Sequence, residues 1–157
     1  VQIQQITKRI AYQIYETFVD EQEIVIAGIA NSGYFFAKKI VDEVQKIADI
    51  KVVLGKVEVN KQNPLDVINV DLHEDDYKNK AVVLVDDVLN SGATLIYGVK
   101  YFLDTPLKKI KTAVLIDRNH KKFPVKADFK GISLSTSSLE HIQVVFNDTE
   151  KYAYLSN

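Results

Sequence analysis

Cysteine is absent from the sequence, and arginine is scarce, since only Arg9 and Arg118 occur among 20 basic residues. The absence of cysteine excludes disulfides and thiolate metal sites and favours a reducing compartment. Scarce arginine disfavours a nucleic-acid surface, because such surfaces rely on bidentate arginine contacts. No apolar run approaches the roughly 20 residues of a membrane span, and no signal peptide is visible. We therefore expect a cytoplasmic protein without a membrane partner. The first residue is not methionine, so we expect the natural start to lie upstream.

Length and composition are typical of one domain. The chain has 157 residues, a hydrophobic content of 46% and a net charge of −1. A chain of this size buries an ordinary hydrophobic core. Because no internal repeat or low-complexity linker interrupts it, we predict one domain over residues 1–157.

Predicted strands and helices alternate along the chain. Apolar residues at helical spacing predict helices over residues 3–19 and 34–48. Strands are predicted over residues 23–29, 51–59, 82–85 and 111–117, with short strands at 127–133, 143–146 and 152–155. The polar stretch 60–76 predicts a long mobile loop. This order predicts an α/β fold, in which right-handed crossovers place helices on both faces of a parallel sheet, followed by a small C-terminal appendage.

The predicted strand at residues 82–85 leads into the most informative pattern. Its continuous apolar run indicates burial on both faces. Asp86 and Asp87 follow at its carboxyl end, where ligands bind in open α/β sheets. A turn of small polar residues comes next, and Thr94 then opens a helical pattern.

This pattern predicts two kinds of ligand contact. A loop that enters a helix presents unpaired N–H groups and the positive end of the helix dipole, which favour a phosphate. Ser91 and Thr94 can add hydroxyl donors, and Gly92 lets the backbone approach closely. Asp86 and Asp87 would repel a phosphate, so ribose hydroxyls and a magnesium ion held through water are their natural partners. A sugar phosphate satisfies both ends.

Other sites also place an acid pair after an apolar strand. Walker B strands, receiver domains and phosphatases are examples. The absence of GxxxxGK[ST] excludes the first, and a receiver domain has its acids near the first strand rather than after the third apolar run. A purely structural role, in which the acids cap the loop, remains an alternative.

Residues 82–94 resemble the phosphoribosyl-pyrophosphate (PRPP) motif of type I phosphoribosyltransferases: four apolar residues, two acids, two apolar residues, then small residues around a glycine. The resemblance implies that family's fold with a small C-terminal hood, and Mg²⁺ bound together with PRPP. It implies that Asp86 and Asp87 are catalytic, contacting the ribose 2- and 3-hydroxyls and holding the metal through water or those hydroxyls. It assigns the 5-phosphate to Val88, Leu89, Asn90, Ser91, Gly92, Ala93 and Thr94. Asn90 departs from the motif, because a small hydroxyl residue is usual there.

Further segments resemble one branch of this family, the pyrimidine-operon attenuator proteins that double as uracil phosphoribosyltransferases. Residues 9–12, 28–40 and 115–137 carry this likeness. Residues 126–129 also resemble the segment with which hypoxanthine-guanine enzymes contact their base. The resemblance implies a homodimer, and it implies base-binding roles for Arg118, Lys126 and Phe129.

Simpler roles for these residues stay open. Lys126 is either a donor to a base carbonyl or a solvated surface lysine. Arg118 either contacts the base or supports the pocket through an ion pair with Asp117 or Asp128. His120 is either a general base or an exposed loop residue.

Two departures from the attenuator branch bear on catalysis. Its members carry basic residues in the pyrophosphate loop after the first strand, whereas the residues here are Ala30, Asn31, Ser32 and Gly33. One lost charge-assisted contact costs about 1.5–3 kcal/mol, or roughly one to two decades in rate. The loop of residues 60–76 has only Lys61 as a cation; with Glu58 and Asn60 it either closes over the site or stays solvated.

Three functions from different classes follow. The leading one is an enzyme that joins a nucleobase, uracil or a purine, to the ribose 5-phosphate of PRPP and releases pyrophosphate. The second is a non-catalytic PRPP or nucleotide sensor that lacks the pyrophosphate-binding charges. The third is an RNA-binding attenuator, which we do not expect, because the net charge is −1 and the first helix offers only Lys8 and Arg9.

Overall fold

The computed structural model of the protein describes residues 3–135 and the backbone of residues 141–146 and 151–156. The helices are α1 (Ile3–Thr17), α2 (Ser32–Ile47), α3 (Glu74–Tyr77) and α4 (Ala93–Leu103). The strands are β1 (Glu23–Ile29), β2 (Lys51–Glu58), β3 (Asn69–Val70), β4 (Ala81–Leu89), β5 (Lys109–Asp117), β6 (Phe129–Ser133), β7 (His141–Phe146) and β8 (Lys151–Ser156).

The main sheet has the order β3-β2-β1-β4-β5-β6. All neighbours in it run parallel except β2 and β3, which are antiparallel. The carboxyl ends of β1, β4 and β5 therefore meet at one edge, and the register pairs Leu89 with Asp117 there. The predicted α/β class with a mostly parallel sheet is confirmed.

Helices cover both faces of this sheet. Successive side chains of β1 alternate: Ile24 and Ile26 pack with α1 and α2, whereas Val25 and Ala27 pack on the opposite face, with Phe102 of α4. All four β1 side chains are fully buried. Burial on both faces explains why β1 and β4 are continuous apolar runs rather than alternating ones.

Two predicted boundaries are wrong near the ligand-binding edge. β4 continues to Leu89, so the acid pair lies within the strand, because backbone pairing with β5 continues past Asp86. α2 begins at Ser32, two residues before the predicted start at residue 34. Serine and glycine are weak helix formers, but Gly28 and Gly33 allow close packing that holds this first turn.

The segment predicted as one loop contains regular structure. β3 lies within residues 60–76, α3 begins there and ends at Tyr77, and residues 59–68 connect β2 to β3. α3 begins with a capping box, in which the His73 N–H donates to Asp76 Oδ2 at 2.9 Å. A strand of two residues and a helix of four are too short to leave a periodic pattern in the sequence.

The C-terminal strands β7 and β8 form a separate two-stranded sheet. β7 and β8 pair antiparallel, and the backbone of β7 lies against α2 and β4. This arrangement agrees with the predicted C-terminal hood. None of the helices in the described ranges combines the length and the apolar content that a membrane crossing requires.

Candidate functional site

The acid pair lies at the carboxyl end of β4. Asp86 is only 3% exposed, and its Oδ1 accepts the Asp87 backbone N–H at 2.8 Å. Asp87 Oδ1 accepts the Val88 N–H, also at 2.8 Å. Each carboxylate is thus held by the next peptide group along the strand, which fixes its direction before any ligand binds.

The Lys61 ammonium lies over both acids. Its Nζ is 3.5 Å from Asp86 Oδ1 and 3.7 Å from Asp87 Oδ1. The turn that carries it is closed by side-chain bonds, because Asn60 Nδ2 and Asn63 Nδ2 both donate to the Asp66 carboxylate at 2.8 Å. The sequence left two roles open for Lys61, a contact with the site or a solvated position in the loop. It is the sole lysine or arginine of residues 60–76.

Burial and charge act together on this group. Burial raises the pKa of Asp86 well above its usual range; the charge of Asp87 adds to the rise, and the Lys61 ammonium opposes it. Partial burial acts to lower the pKa of Lys61, but attraction by the two carboxylates outweighs it, so the pKa is raised. Lys61 therefore stays protonated and serves as the counter-ion of the pair.

The loop after the acid pair is shaped by Gly92. This residue has φ +90°, a conformation that favours glycine, and a Cβ there would lie 2.7 Å from Val125 Cγ1. Ser91 Oγ accepts the Ala93 N–H at 3.2 Å, and α4 begins at Ala93. The first turn of α4 consequently presents N–H groups that have no helical acceptor, and these suit an anion.

The acid pair, the Lys61 side chain and the loop that leads into α4 line one cavity of about 380 Å³. Its lining residues are Lys61, Asp86, Asp87, Val88, Leu89, Asn90, Ser91, Gly92, Ala93, Thr94, Leu95 and Val114. The structure thus brings together all nine residues predicted for the ribose and the 5-phosphate. A cavity of this size holds a small-molecule ligand.

The predicted pyrophosphate loop lies beside the acid pair. Its Ala30 N–H donates to Val57 O at 2.8 Å, and the Ala30–Asn31 peptide bond is cis. A Cβ on Gly33 would lie 2.9 Å from Asp86 Cα, so only glycine allows this approach. The N-terminus of α2, which starts at Ser32, is thereby placed next to the acids without any basic side chain in residues 30–33.

Arg118 contacts the loop that follows the acid pair, whose residues 88–94 were predicted to bind the 5-phosphate. Its Nη1 donates to Asn90 Oδ1 at 3.0 Å, its backbone N–H donates to Leu89 O at 3.1 Å, and the residue is 7% exposed. Of the two acids predicted as possible partners of Arg118, Asp117 accepts the Asn119 N–H at 2.9 Å and Asp128 accepts the Thr112 N–H at 3.0 Å. The contact between residues 118 and 90 was not predicted from the sequence.

The other two predicted base-binding residues lie outside the lining of this cavity. Lys126 has a side chain that is 80% exposed and lies 3.7 Å from Asp128 Oδ1. Phe129 is 6% exposed in the hydrophobic core, where its ring centroid is 6.5 Å from that of Phe18. Phe129 therefore occupies a packing position at the start of β6.

Asp86 and Asp87 suit Mg²⁺ only when a bound ligand and water supply the remaining oxygen atoms. Within the residues that the structure describes, no group of three or more histidine, cysteine or acidic side chains is placed to hold a metal ion. Magnesium commonly binds through one or two carboxylates together with substrate oxygens and water. Asp86 and Asp87 fit that role, and a ligand would complete the coordination.

Sequence comparison places this site in a known family. Residues 1–150 match the phosphoribosyl transferase domain. A bifunctional protein PyrR from Clostridium acetobutylicum is 36% identical over 152 residues, which cover 90% of this chain and 84% of that protein. Another from Enterococcus faecalis is 32% identical over 149 residues, with coverage of 90% and 84%.

Solved structures share the fold. A hypoxanthine-guanine phosphoribosyltransferase from Bacillus anthracis has a TM-score of 0.75 at 23% identity, covering 90% of this chain and 80% of that one. A hypoxanthine phosphoribosyltransferase from Staphylococcus aureus has a TM-score of 0.73 at 17% identity, with coverage of 89% and 76%. The chain therefore belongs to the phosphoribosyltransferase family and has its type I fold, as the resemblance of residues 82–94 predicted.

Proposed function

We propose that this chain transfers the ribose 5-phosphate group of PRPP to a nucleobase, uracil or a purine, and releases pyrophosphate. The observation that carries the proposal is the shared cavity of the acid pair and the loop that opens α4. Carboxylates accept hydroxyl donors, whereas a helix N-terminus favours a phosphate. A ribose 5-phosphate carries both groups at opposite ends.

In this proposal each part of the cavity has one role. Asp86 and Asp87 accept hydrogen bonds from the ribose 2- and 3-hydroxyls and hold Mg²⁺ through water. Residues 88–94 hold the 5-phosphate, with Ser91 and Thr94 as hydroxyl donors. Bound Mg²⁺ supplies positive charge to the pyrophosphate, and residues 30–33 supply N–H groups beside it.

The reaction forms a bond between a ring nitrogen of the base and C1 of the ribose. The bond from C1 to the pyrophosphate oxygen breaks, and the displaced proton of the base leaves to solvent. The protein contributes the alignment of the two reactants and the stabilisation of charge on the leaving group. Base recognition is assigned to the segment that follows β5, in which the Lys126 ammonium is available as a donor to a base carbonyl.

Conversion of labelled bases tests this proposal. The protein is incubated with Mg-PRPP and, separately, radiolabelled uracil, hypoxanthine, guanine and adenine. Labelled nucleoside monophosphate is expected from at least one of them. The matched controls are reactions without protein and reactions with Asp87→Asn.

A second candidate function is a nucleotide or PRPP sensor without turnover. It is favoured by the pyrophosphate loop, in which residues 30–33 carry no cation to stabilise a multiply charged leaving group. A thermal-shift comparison separates the two functions, because a ligand that binds the folded state raises the melting temperature. Stabilisation by UMP or GMP but not by Mg-PRPP would favour a nucleotide sensor, and stabilisation by Mg-PRPP without turnover of any base would favour a PRPP sensor.

Partners and location remain predictions. A homodimer in the cytoplasm is expected, and a sedimentation experiment checks its mass. The comparisons do not support the expectation that RNA is no partner, and binding to pyrimidine-operon leader RNA at low and high salt tests it. The relatives are named bifunctional, so both measurements belong beside the turnover assay.

A further inference from the structure

We propose that Arg118 is a positioning residue for the phosphate loop, acting through Asn90. The guanidinium turns the Asn90 amide so that its N–H groups are directed at the phosphate of the ligand. This inference rests on the proposed function, since it assigns an additional phosphate contact within the same cavity.

The direct contact fixes the orientation of the amide. Arg118 Nη1 donates to Asn90 Oδ1 at 3.0 Å, and a guanidinium has donors only. The amide oxygen must therefore face Arg118, because the opposite orientation would set two donors against each other. The amide nitrogen, on the other side of the same planar group, then faces away from the guanidinium. Asn90 lines the cavity, so this nitrogen is a donor for a ligand there.

The burial of Arg118 supports a structural role for its contact with Asn90. Arg118 is 7% exposed although its side chain is always charged, and such a group is retained only when hydrogen-bonded. Its backbone also holds the same loop, through the N–H bond to Leu89 O at 3.1 Å. Asn90 itself is exposed, so its side-chain direction is set by this partner rather than by packing.

The rest of the segment holds the loop in place. Ser91 O accepts two N–H groups, from Lys122 at 2.7 Å and from Phe123 at 3.1 Å. Val125 packs where a Cβ on Gly92 would lie. Residues 118–125 therefore contact four consecutive residues, 89–92. The N-cap of α4 is Gly92, which has no side chain, so these contacts from residues 118–125 hold the loop in its conformation.

The arrangement accounts for the departure at residue 90. The motif usually has a small hydroxyl residue here. An asparagine offers an acceptor and donors together, so it can bind Arg118 and a phosphate at the same time.

The test compares a ligand without a base and one with a base. Dissociation constants for ribose 5-phosphate and for UMP and GMP are measured by calorimetry on the wild type, Arg118→Gln and Asn90→Ser. Arg118→Gln is expected to weaken ribose 5-phosphate and the tighter-binding nucleotide by the same factor, about tenfold. In the Asn90→Ser background, Arg118→Gln is expected to have little further effect. Lys121→Gln, an exposed change in the same segment, is the control and should leave both affinities unchanged.

A second variant covers the case in which Arg118→Gln does not fold. Asn90→Asp retains an acceptor for Arg118 and gains an ion pair, so its melting temperature should not fall. Its second oxygen replaces the amide nitrogen and repels the phosphate, so ribose 5-phosphate affinity should fall by at least tenfold. Wild-type affinity in Asn90→Asp overturns the inference.

The outcomes separate this inference from the proposed function. A loss of nucleotide affinity alone in Arg118→Gln, with ribose 5-phosphate unaffected, assigns Arg118 to the base and overturns the positioning role. Unchanged affinity for both ligands also overturns it. Failure of the wild type to bind ribose 5-phosphate at all overturns the inference together with the ligand class. Binding without turnover of any base overturns only the enzymatic function.

Discussion

The Lys61 ammonium lies 3.5 Å from Asp86 Oδ1, so the most deeply buried acid of the cavity is neutralised by a residue 25 positions away in the chain. The pairing offsets the repulsion between two adjacent carboxylates in one cavity. It also means that a ligand entering with Mg²⁺ meets an existing cation. The buried charge of Asp86 therefore serves ligand binding but lowers the stability of the fold, and the following substitutions test this opposition.

Asp86→Asn should stabilise the protein and abolish ligand binding. Asparagine retains an oxygen for the Asp87 N–H, while the charge that burial disfavours is removed. We expect a gain of about 1 kcal/mol, or roughly 2–4 °C in melting temperature. Calorimetric scanning and ribose 5-phosphate titration check the two effects. Asp87→Asn, at a more exposed position, should gain less; a lower melting temperature for Asp86→Asn would contradict this account.

Lys61→Gln should destabilise the protein only while the ammonium is charged in the wild type. The pKa of Lys61 is raised above its ordinary value of 10.5, so its contribution is complete below that pH and is lost as the pH rises through the folded-state pKa. Because its side chain is 46% exposed, we expect less than about 1 kcal/mol. Melting temperatures from pH 7 to 11 should show a gap from the wild type that closes only above pH 10.5.

The same substitution in the Asp86→Asn background provides the control. With only Asp87 left as a partner, loss of the ammonium should cost less than it does in the wild type. Equal costs in the two backgrounds would show that Lys61 is a solvated loop residue.

Gly92→Ala should damage both stability and binding. The residue has φ +90°, and the new Cβ would lie 2.7 Å from Val125 Cγ1, so we expect a loss of about 1–3 kcal/mol. Ribose 5-phosphate affinity should fall because the loop must shift. Gly98→Ala is the matched change within α4: its Cβ would meet the flexible Leu84 side chain, at 2.8 Å from Cδ2, away from the loop. If Gly98→Ala weakened the ligand as much, the loop geometry would not be the cause.

Ala30→Lys should strengthen binding of PRPP but not of ribose 5-phosphate. The substitution returns a positive charge to the pyrophosphate loop, where a charge-assisted contact is worth about tenfold in affinity. Titration with Mg-PRPP and with ribose 5-phosphate measures the difference. Ala30→Gln has a side chain of similar length without the charge and should bind both ligands like the wild type. An equal gain for both ligands would place the pyrophosphate elsewhere.

The sequence predicted what is encoded locally. Asp86, Asp87 and Gly92 lie within one short motif. The pattern of residues 81–95 indicates both its apolar strand and the start of its helix. The pairs Lys61–Asp86 and Arg118–Asn90 join residues 25 and 28 positions apart, and they depend on side-chain directions that no periodicity encodes. Phe129 shows what a likeness omits: a ligand contact was predicted for it from a base-binding segment, and the burial of its side chain in the core was not.

The most direct test of the central claim is the conversion of radiolabelled uracil, hypoxanthine, guanine and adenine by the wild-type protein with Mg-PRPP. The account predicts a labelled nucleoside monophosphate from at least one base, at a rate that Asp87→Asn lowers to the level without protein. No product above that level from any of the four bases would contradict it.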